Sequence, residues 1–155
     1  MRRVLEGMKG FVVVAGSGEG NSELTAFDAA LIRAGIANCN LLKLSSILPP
    51  GLEPRESVEL PPGSMLPVVL SAHASSKPGE VIAAAVAVGW GQAPYGIIME
   101  NRGAMDRFRA EKGAVARLRE GFALRGLALE RYLVRSVDHQ VRRLGCVVAA
   151  VAFVP

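Results

Sequence analysis

Residues 38–50 read NCNLLKLSSILPP, an apolar run that carries two adjacent serines, Ser45 and Ser46, and stops at Pro49 and Pro50. Period-two alternation places Asn40, Leu42, Leu44 and Ser46 on one side, which predicts a strand over 38–48. The two prolines lack an N–H and have a fixed φ, so they end it. A buried hydroxyl without a partner costs about 1–3 kcal/mol. Two in a row at the end of an apolar strand therefore need a reason, either strand-end hydrogen bonding or chemistry.

On the N-terminal side, FVVVAG (11–16) predicts a buried strand and the following SGEGN a glycine-rich loop. Ser22 is a good N-cap, and Leu24, Phe27 and Leu31 recur with the spacing of one helix face, which Gly35 terminates. Asp28 lies on that same stripe, and a carboxylate in an apolar pattern marks a candidate site. On the C-terminal side, PPGLEPRESVELPPG (49–63) reads as an ordered excursion within one domain. SMLPVVLSAHA and EVIAAAVAVGW predict strands joined by the SSKPG turn, with the alanine run leaving a helix open for the second. YGIIMEN predicts a strand ending in the carboxylate Glu100. A helix is expected over 106–125, with Phe108, Val115, Leu118 and Phe122 inward and arginines outward. Two more strands follow, in ERYLVRSVDH and LGCVVAAVAFV. This order predicts a single α+β domain over 1–155, a mixed layered sandwich rather than a doubly wound parallel sheet.

Half of the 155 residues are hydrophobic and 21% are charged, the composition of a folded domain with a sizeable core. The formal net charge of +4 comes with no Lys/Arg run interleaved with aromatics, so no nucleic-acid partner is expected. The arginines between 102 and 143 are expected on a solvated helix face and at subunit contacts. No stretch is long and apolar enough to span a bilayer, and MRRVLEGMKGFVVVAG is too interrupted for a signal peptide. Cys39 and Cys146 lack metal-ligand spacing and are expected to be reduced and buried, in a cytoplasmic protein.

Gly16, Gly18 and Gly20 give G-x-G-x-G without a P-loop lysine, which fits a tight turn better than a phosphate or nucleotide loop. His73 and His139 stand apart in the sequence and read as structural. The serine pair has a distinctive chemistry. The Ser46 hydroxyl can attack the Ser45 carbonyl and move the acyl group from nitrogen to oxygen. Elimination of that ester leaves dehydroalanine at 46, which hydrolyses to a pyruvoyl group and cuts the chain. A strained backbone and a rigid exit at Pro49-Pro50 would help.

The segments GEGNSELTAFDAALIRAGIANCNLLKLSSILPPG, PGEVIAAAVAVG, GIIMENRG and DHQVRRLGCVVAAVAF, in this order, resemble the pyruvoyl-dependent arginine decarboxylases. The resemblance implies a four-layer αββα sandwich of the pyruvoyl-dependent decarboxylase type. It also implies self-cleavage between Ser45 and Ser46 into a β chain (1–45) and an α chain (46–155). The protomers would assemble as a homotrimer, or a dimer of trimers, with active sites at subunit interfaces. The activity implied is decarboxylation of L-arginine to agmatine and CO2, on the path to polyamines or in acid resistance. The cofactor would be the covalent pyruvoyl group from Ser46, with neither a metal nor pyridoxal phosphate (PLP).

By the same resemblance, Glu100 is the proton donor, and three preceding apolar residues favour a raised pKa for it. Asn40 polarises groups around the cleavage bond, and Asp28 receives the guanidinium, whose planar fork suits a carboxylate. Leu24 and Leu31 line the aliphatic part of the substrate. Ser45 gives polar contacts and Ile47 packs beside the pyruvoyl. Alternatives are the same chemistry on another amino acid, a non-catalytic homologue that stays unprocessed, and a nucleotide-binding module using GSGEG.

Overall fold

The computed structural model describes residues 6–155; the first five residues of the opening MRRVLEGMKG segment lie outside the described residues. The chain is α+β, with two helices and two sheets. The elements are β1 (Gly10–Glu19), α1 (Glu23–Ala34), β2 (Asn40–Lys43), β3 (Ile47–Leu48), β4 (Glu53–Pro54), β5 (Met65–Ser75), β6 (Val81–Trp90), β7 (Gly96–Gly103), α2 (Arg107–Leu124), β8 (Arg131–Gln140) and β9 (Gly145–Val154). The first sheet has the order β2-β5-β9-β1-β4 and the second β3-β7-β6-β8.

Strand β9 is buried along its whole length because both faces of the first sheet are covered. On one face Val148, Ala150 and Ala152 pack with Ala26, Ala30, Leu31 and Ala34 of α1. On the other, Val147, Ala149 and Val151 meet Ile82, Ala84, Val86 and Val88 of β6. The alternate β6 residues Ala83, Ala85 and Ala87 receive Ala110, Ala114, Leu118 and Phe122 of α2. The alanine run is a strand covered on both faces: its Ala83, Ala85 and Ala87 lie under α2, and its larger Ile82, Val86 and Val88 face the first sheet.

Several expectations are corrected. The glycine-rich stretch is no loop; β1 runs to Glu19. A Cβ on Gly16 would stand 2.5 Å from the Ala30 carbonyl oxygen, and one on Gly18 2.6 Å from the Ala29 Cβ, so these glycines let α1 lie directly on β1. The Ser22 N-cap and the left-handed Gly35 cap of α1 are as expected. Its inner face is formed by Ala26, Ala30, Leu31 and Ala34, so Leu31 is inward as expected, whereas Leu24 is 75% exposed and Asp28 is exposed beside it. In α2 the buried residues are Ala110, Ala114, Leu118, Gly121 and Phe122, whereas Phe108, in the first turn, is exposed. Glu100 lies within β7 rather than at its end.

The largest correction concerns residues 38–48, which are not one strand. β2 pairs in parallel with β5 in the first sheet, from Asn40↔Met65 to Lys43↔Val68. β3 pairs antiparallel with β7 in the second, at Ile47↔Ile97 and Leu48↔Gly96. Leu44, Ser45 and Ser46 form the crossover between the sheets, so the alternation that groups Asn40 with Ser46 ends at Lys43. Proline-rich residues 49–63 stay ordered: β4 adds to β1 in parallel, and Val58 and Leu60 pack against the α1 side.

Candidate active site

The crossover is held at both ends by backbone hydrogen bonds. The Leu44 N–H donates to the Val68 carbonyl at 2.7 Å, and the Ser46 carbonyl accepts from the Ile98 N–H at 2.7 Å. Between them Ser45 is exposed and Ser46 half-buried, and among the described residues neither hydroxyl makes a hydrogen bond. The serines are therefore not a buried strand end in need of partners. No described non-glycine residue has positive φ, so the junction carries no left-handed strain.

Glu100 is placed by the same strand edge. Peptide groups two residues apart on a strand face the same side, so those of Ile98 and Glu100 share the edge next to Ser46, about 7 Å apart along the chain. β3 is too short to pair with Glu100, and the Glu100 carbonyl accepts instead from Nη1 of Arg117 on α2, at 2.6 Å. The Glu100 side chain alternates with Met99 and lies on the face of Ile98, between the sheets. It lines a small cleft of about 190 Å³ with Lys43, Leu70, Ala72, Asn101, Arg102 and Arg117. Its Oε2 is buried without a hydrogen-bond partner among the described residues. Burial raises the carboxyl pKa; the charges of Arg102, Arg117 and Lys43 act in the opposite direction but do not cancel it.

Lys43, Ala72 and Arg102 also line an adjoining cleft of about 590 Å³, with Glu23, Leu24, Phe27 and His73 among its walls. Arg102 bridges the two sheets, its Nη1 donating to the Ala72 carbonyl at 2.5 Å on the β5 edge left open where β2 ends. Ser71 makes a second link, donating from Oγ to the Asn101 carbonyl at 2.9 Å.

Of the expected site residues, Ser45, Ser46 and Ile47 lie along the β7 edge, where Ser46 is bonded to Ile98, two residues from Glu100, and Leu24 reaches the larger cleft. Asn40 does not join them in the single chain; its Nδ2 donates to the Gly63 carbonyl at 3.1 Å. Asp28 is exposed on the outer side of α1, and Leu31 is buried between α1 and the first sheet. Lys43, Glu23, Arg102 and Arg117 were not among the expected residues. They come from three elements and α1, and only Lys43, three residues before Ser46, carried a positional signal.

A family model described as pyruvoyl-dependent arginine decarboxylase matches residues 10–155. The chain belongs to that family. A pyruvoyl-dependent arginine decarboxylase of Methanocaldococcus jannaschii is 42% identical over 142 residues, covering 90% of this chain and 86% of the relative. Those of Methanothermobacter thermautotrophicus and Pyrococcus horikoshii are 37% and 36% identical, covering 91% and 93% of this chain and 93% and 94% of the relatives. The match thus spans both sheets, both helices and the crossover, so this member of the pyruvoyl-dependent arginine decarboxylase family keeps every element that builds the clefts. Among the described residues no helix is long and apolar enough to cross a membrane.

Proposed function

We propose that this chain is a proenzyme that cleaves itself between Ser45 and Ser46 and then decarboxylates L-arginine to agmatine and CO2. The observation that carries the reading is the position of Glu100: an unpartnered, buried carboxyl oxygen on the strand edge that anchors Ser46. The residues fit a pyruvoyl group at 46. The Ser46 hydroxyl is free to attack the Ser45 carbonyl, while the Ile98 N–H fixes the Ser46 carbonyl, a bond that survives cleavage on its N-terminal side. Once formed, the pyruvoyl keto group supplies the carbonyl that condenses with the substrate α-amine and takes up the electron pair released with CO2.

The chain's own residues do the rest. Glu100, whose carboxyl is shifted toward its protonated form by burial, gives its proton to the α-carbon after CO2 leaves. Asp28 receives the guanidinium, with Leu24 and Ile47 along the aliphatic chain while Leu31 stays in the core beneath α1, and Asn40 and Ser45 supply polar contacts at the junction. Asp28 stands between Leu24 and Ile32, at four-residue spacing, and these leucine and isoleucine side chains are 75% and 62% exposed. We take this apolar stripe as the seat of a neighbouring protomer in a homotrimer, so that Asp28 of one protomer completes the site of the next. The packing of α1, the two sheets and α2 supports the four-layer αββα sandwich within each protomer. The two free cysteines suit a cytoplasmic enzyme.

Intact mass of the purified protein tests the reading. Fragments corresponding to residues 1–45 and 46–155 are expected, with the Ser46→Ala chain remaining whole and inactive. A wild-type chain that stays whole and releases no CO2 from arginine overturns it.

A further inference from the structure

Three cations surround Glu100, and among the described residues none has a counter-ion. Lys43 from β2, Arg102 from β7 and Arg117 from α2 line its cleft. Among the described residues none of the three takes part in an ion pair. Each guanidinium carries five N–H donors. Arg102 and Arg117 each spend one, on the Ala72 and Glu100 carbonyls, and those bonds fix where the remaining donors stand. The Lys43 ammonium makes no hydrogen bond among the described residues. The single carboxyl among them is Glu100, held toward its neutral form by burial.

We infer that Lys43, Arg102 and Arg117 form an anion site beside Glu100 that receives the α-carboxylate of the substrate. The inference rests on the arginine decarboxylase reading and adds to it the end of the substrate that leaves. A cationic substrate side chain is repelled from this cleft and attracted to a carboxylate elsewhere, so a bipolar amino acid can lie only one way round, with its anionic end at Lys43, three residues from Ser46.

The charge count across the reaction favours the same placement. The bound substrate brings one negative charge to the three cations. That charge leaves the carboxylate when the bond from the α-carbon to the carboxyl carbon breaks and neutral CO2 departs. Proton transfer to the α-carbon then leaves Glu100 as a carboxylate in the same cleft. The cations face one negative charge before the reaction and one after it. Their hold on the substrate carboxylate opposes decarboxylation, and their hold on the newly formed Glu100 carboxylate offsets that cost.

Calorimetric titration of the processed enzyme with two probes separates this role from a structural one. Argininic acid carries the guanidinium and the carboxylate but no α-amine; agmatine carries the guanidinium and an amine but no carboxylate. Lys43→Gln and, separately, Arg102→Gln should weaken argininic acid about ten- to hundredfold, the ratio set by one lost charge-assisted hydrogen bond. Agmatine should stay within about twofold, and Arg102→Lys should recover part of the loss. Equal weakening of both probes, or of neither, in both glutamine variants overturns the anion site while leaving the decarboxylase reading standing. A wild-type enzyme that binds neither probe overturns both. Processing of each variant is checked by intact mass, and the two variants lie on different strands, so misfolding of one leaves the other decisive.

Discussion

Two carboxylates stand between the sheets at different places in this molecule, and they are treated in opposite ways. Glu19, at the end of β1, has its oxygens occupied: it accepts from the N–H groups of Arg143 at 2.8 Å and Leu144 at 3.2 Å, and lies 2.6 Å from Nε2 of His139 at the end of β8. Gly145 leaves the room for that pair, since a Cβ there would run into both side chains. Burial pushes the Glu19 carboxyl up. Hydrogen bonds from Arg143, His139 and Arg142, with the His139 charge, outweigh it and hold the pKa below the ordinary value. Glu100 has the burial without the bonds, and its pKa is raised. A carboxylate surrounded by donors ties strands together. One left without them is shifted toward the protonated form that a general acid needs.

The sharpest way to break this contrast is Glu100→Gln. The variant should cleave itself normally yet lose about 10²–10⁴ in kcat, the usual worth of a general acid. Its melting temperature at neutral pH should stay level or rise. A carboxyl with a raised folded-state pKa favours the folded state below its ordinary value, and that contribution is lost as pH rises through the raised value. At neutral pH the charged form is the costly one, so glutamine removes a cost. For the same reason wild-type kcat should fall as pH rises through the raised pKa, and a flat alkaline limb would exclude Glu100 as the acid.

Glu19→Gln should do the reverse. Here the folded-state pKa is lowered, so stability is fully present above the ordinary value and lost as pH falls through the lowered one. Replacing a carboxylate that holds several donors should cost about 1–3 kcal/mol, a drop of roughly 2–10 °C in melting temperature for a chain of this size. Activity at a permissive temperature should be kept. Loss of activity without loss of stability would place Glu19 in the site and dissolve the comparison.

How far these features could be read in advance depends on whether their cause is local. The ends of α1 were legible, because Ser22 and Gly35 act on the backbone next to them. Gly16 and Gly18 were misread as a loop, because what they accommodate is the α1 backbone, which is adjacent only after folding. The β2–β3 break was invisible to period-two alternation, which orders side chains along a strand but does not say which sheet receives them. Phe108 was placed inward by its spacing to Val115 and Phe122 and still faces solvent, because the buried face of α2 is centred on Ala110, Ala114, Leu118 and Gly121 and Phe108 lies at its margin. Glu100 was found through the family resemblance and its apolar neighbours. The Lys43, Arg102 and Arg117 cluster was not, since it gathers residues from β2, β7 and α2 that share no sequence pattern.

The smallest expected effect tests whether the Glu19 anchor depends on its histidine. Among the described residues His139 is the one side-chain partner of Glu19, and the others are backbone groups of the β8–β9 turn that no side-chain substitution removes. His139→Gln keeps a donor of similar reach and takes away the charge available on protonation. The backbone bonds go on holding the carboxylate, so the loss should be only about 0.5–1 kcal/mol, and smaller than that of Glu19→Gln. In the double variant the two effects should fall short of their sum, because with Glu19 already neutral the histidine charge has nothing left to stabilise. Full additivity in thermal denaturation would mean that His139 acts through packing alone, and the contrast with Glu100 would then rest on the backbone donors of the turn.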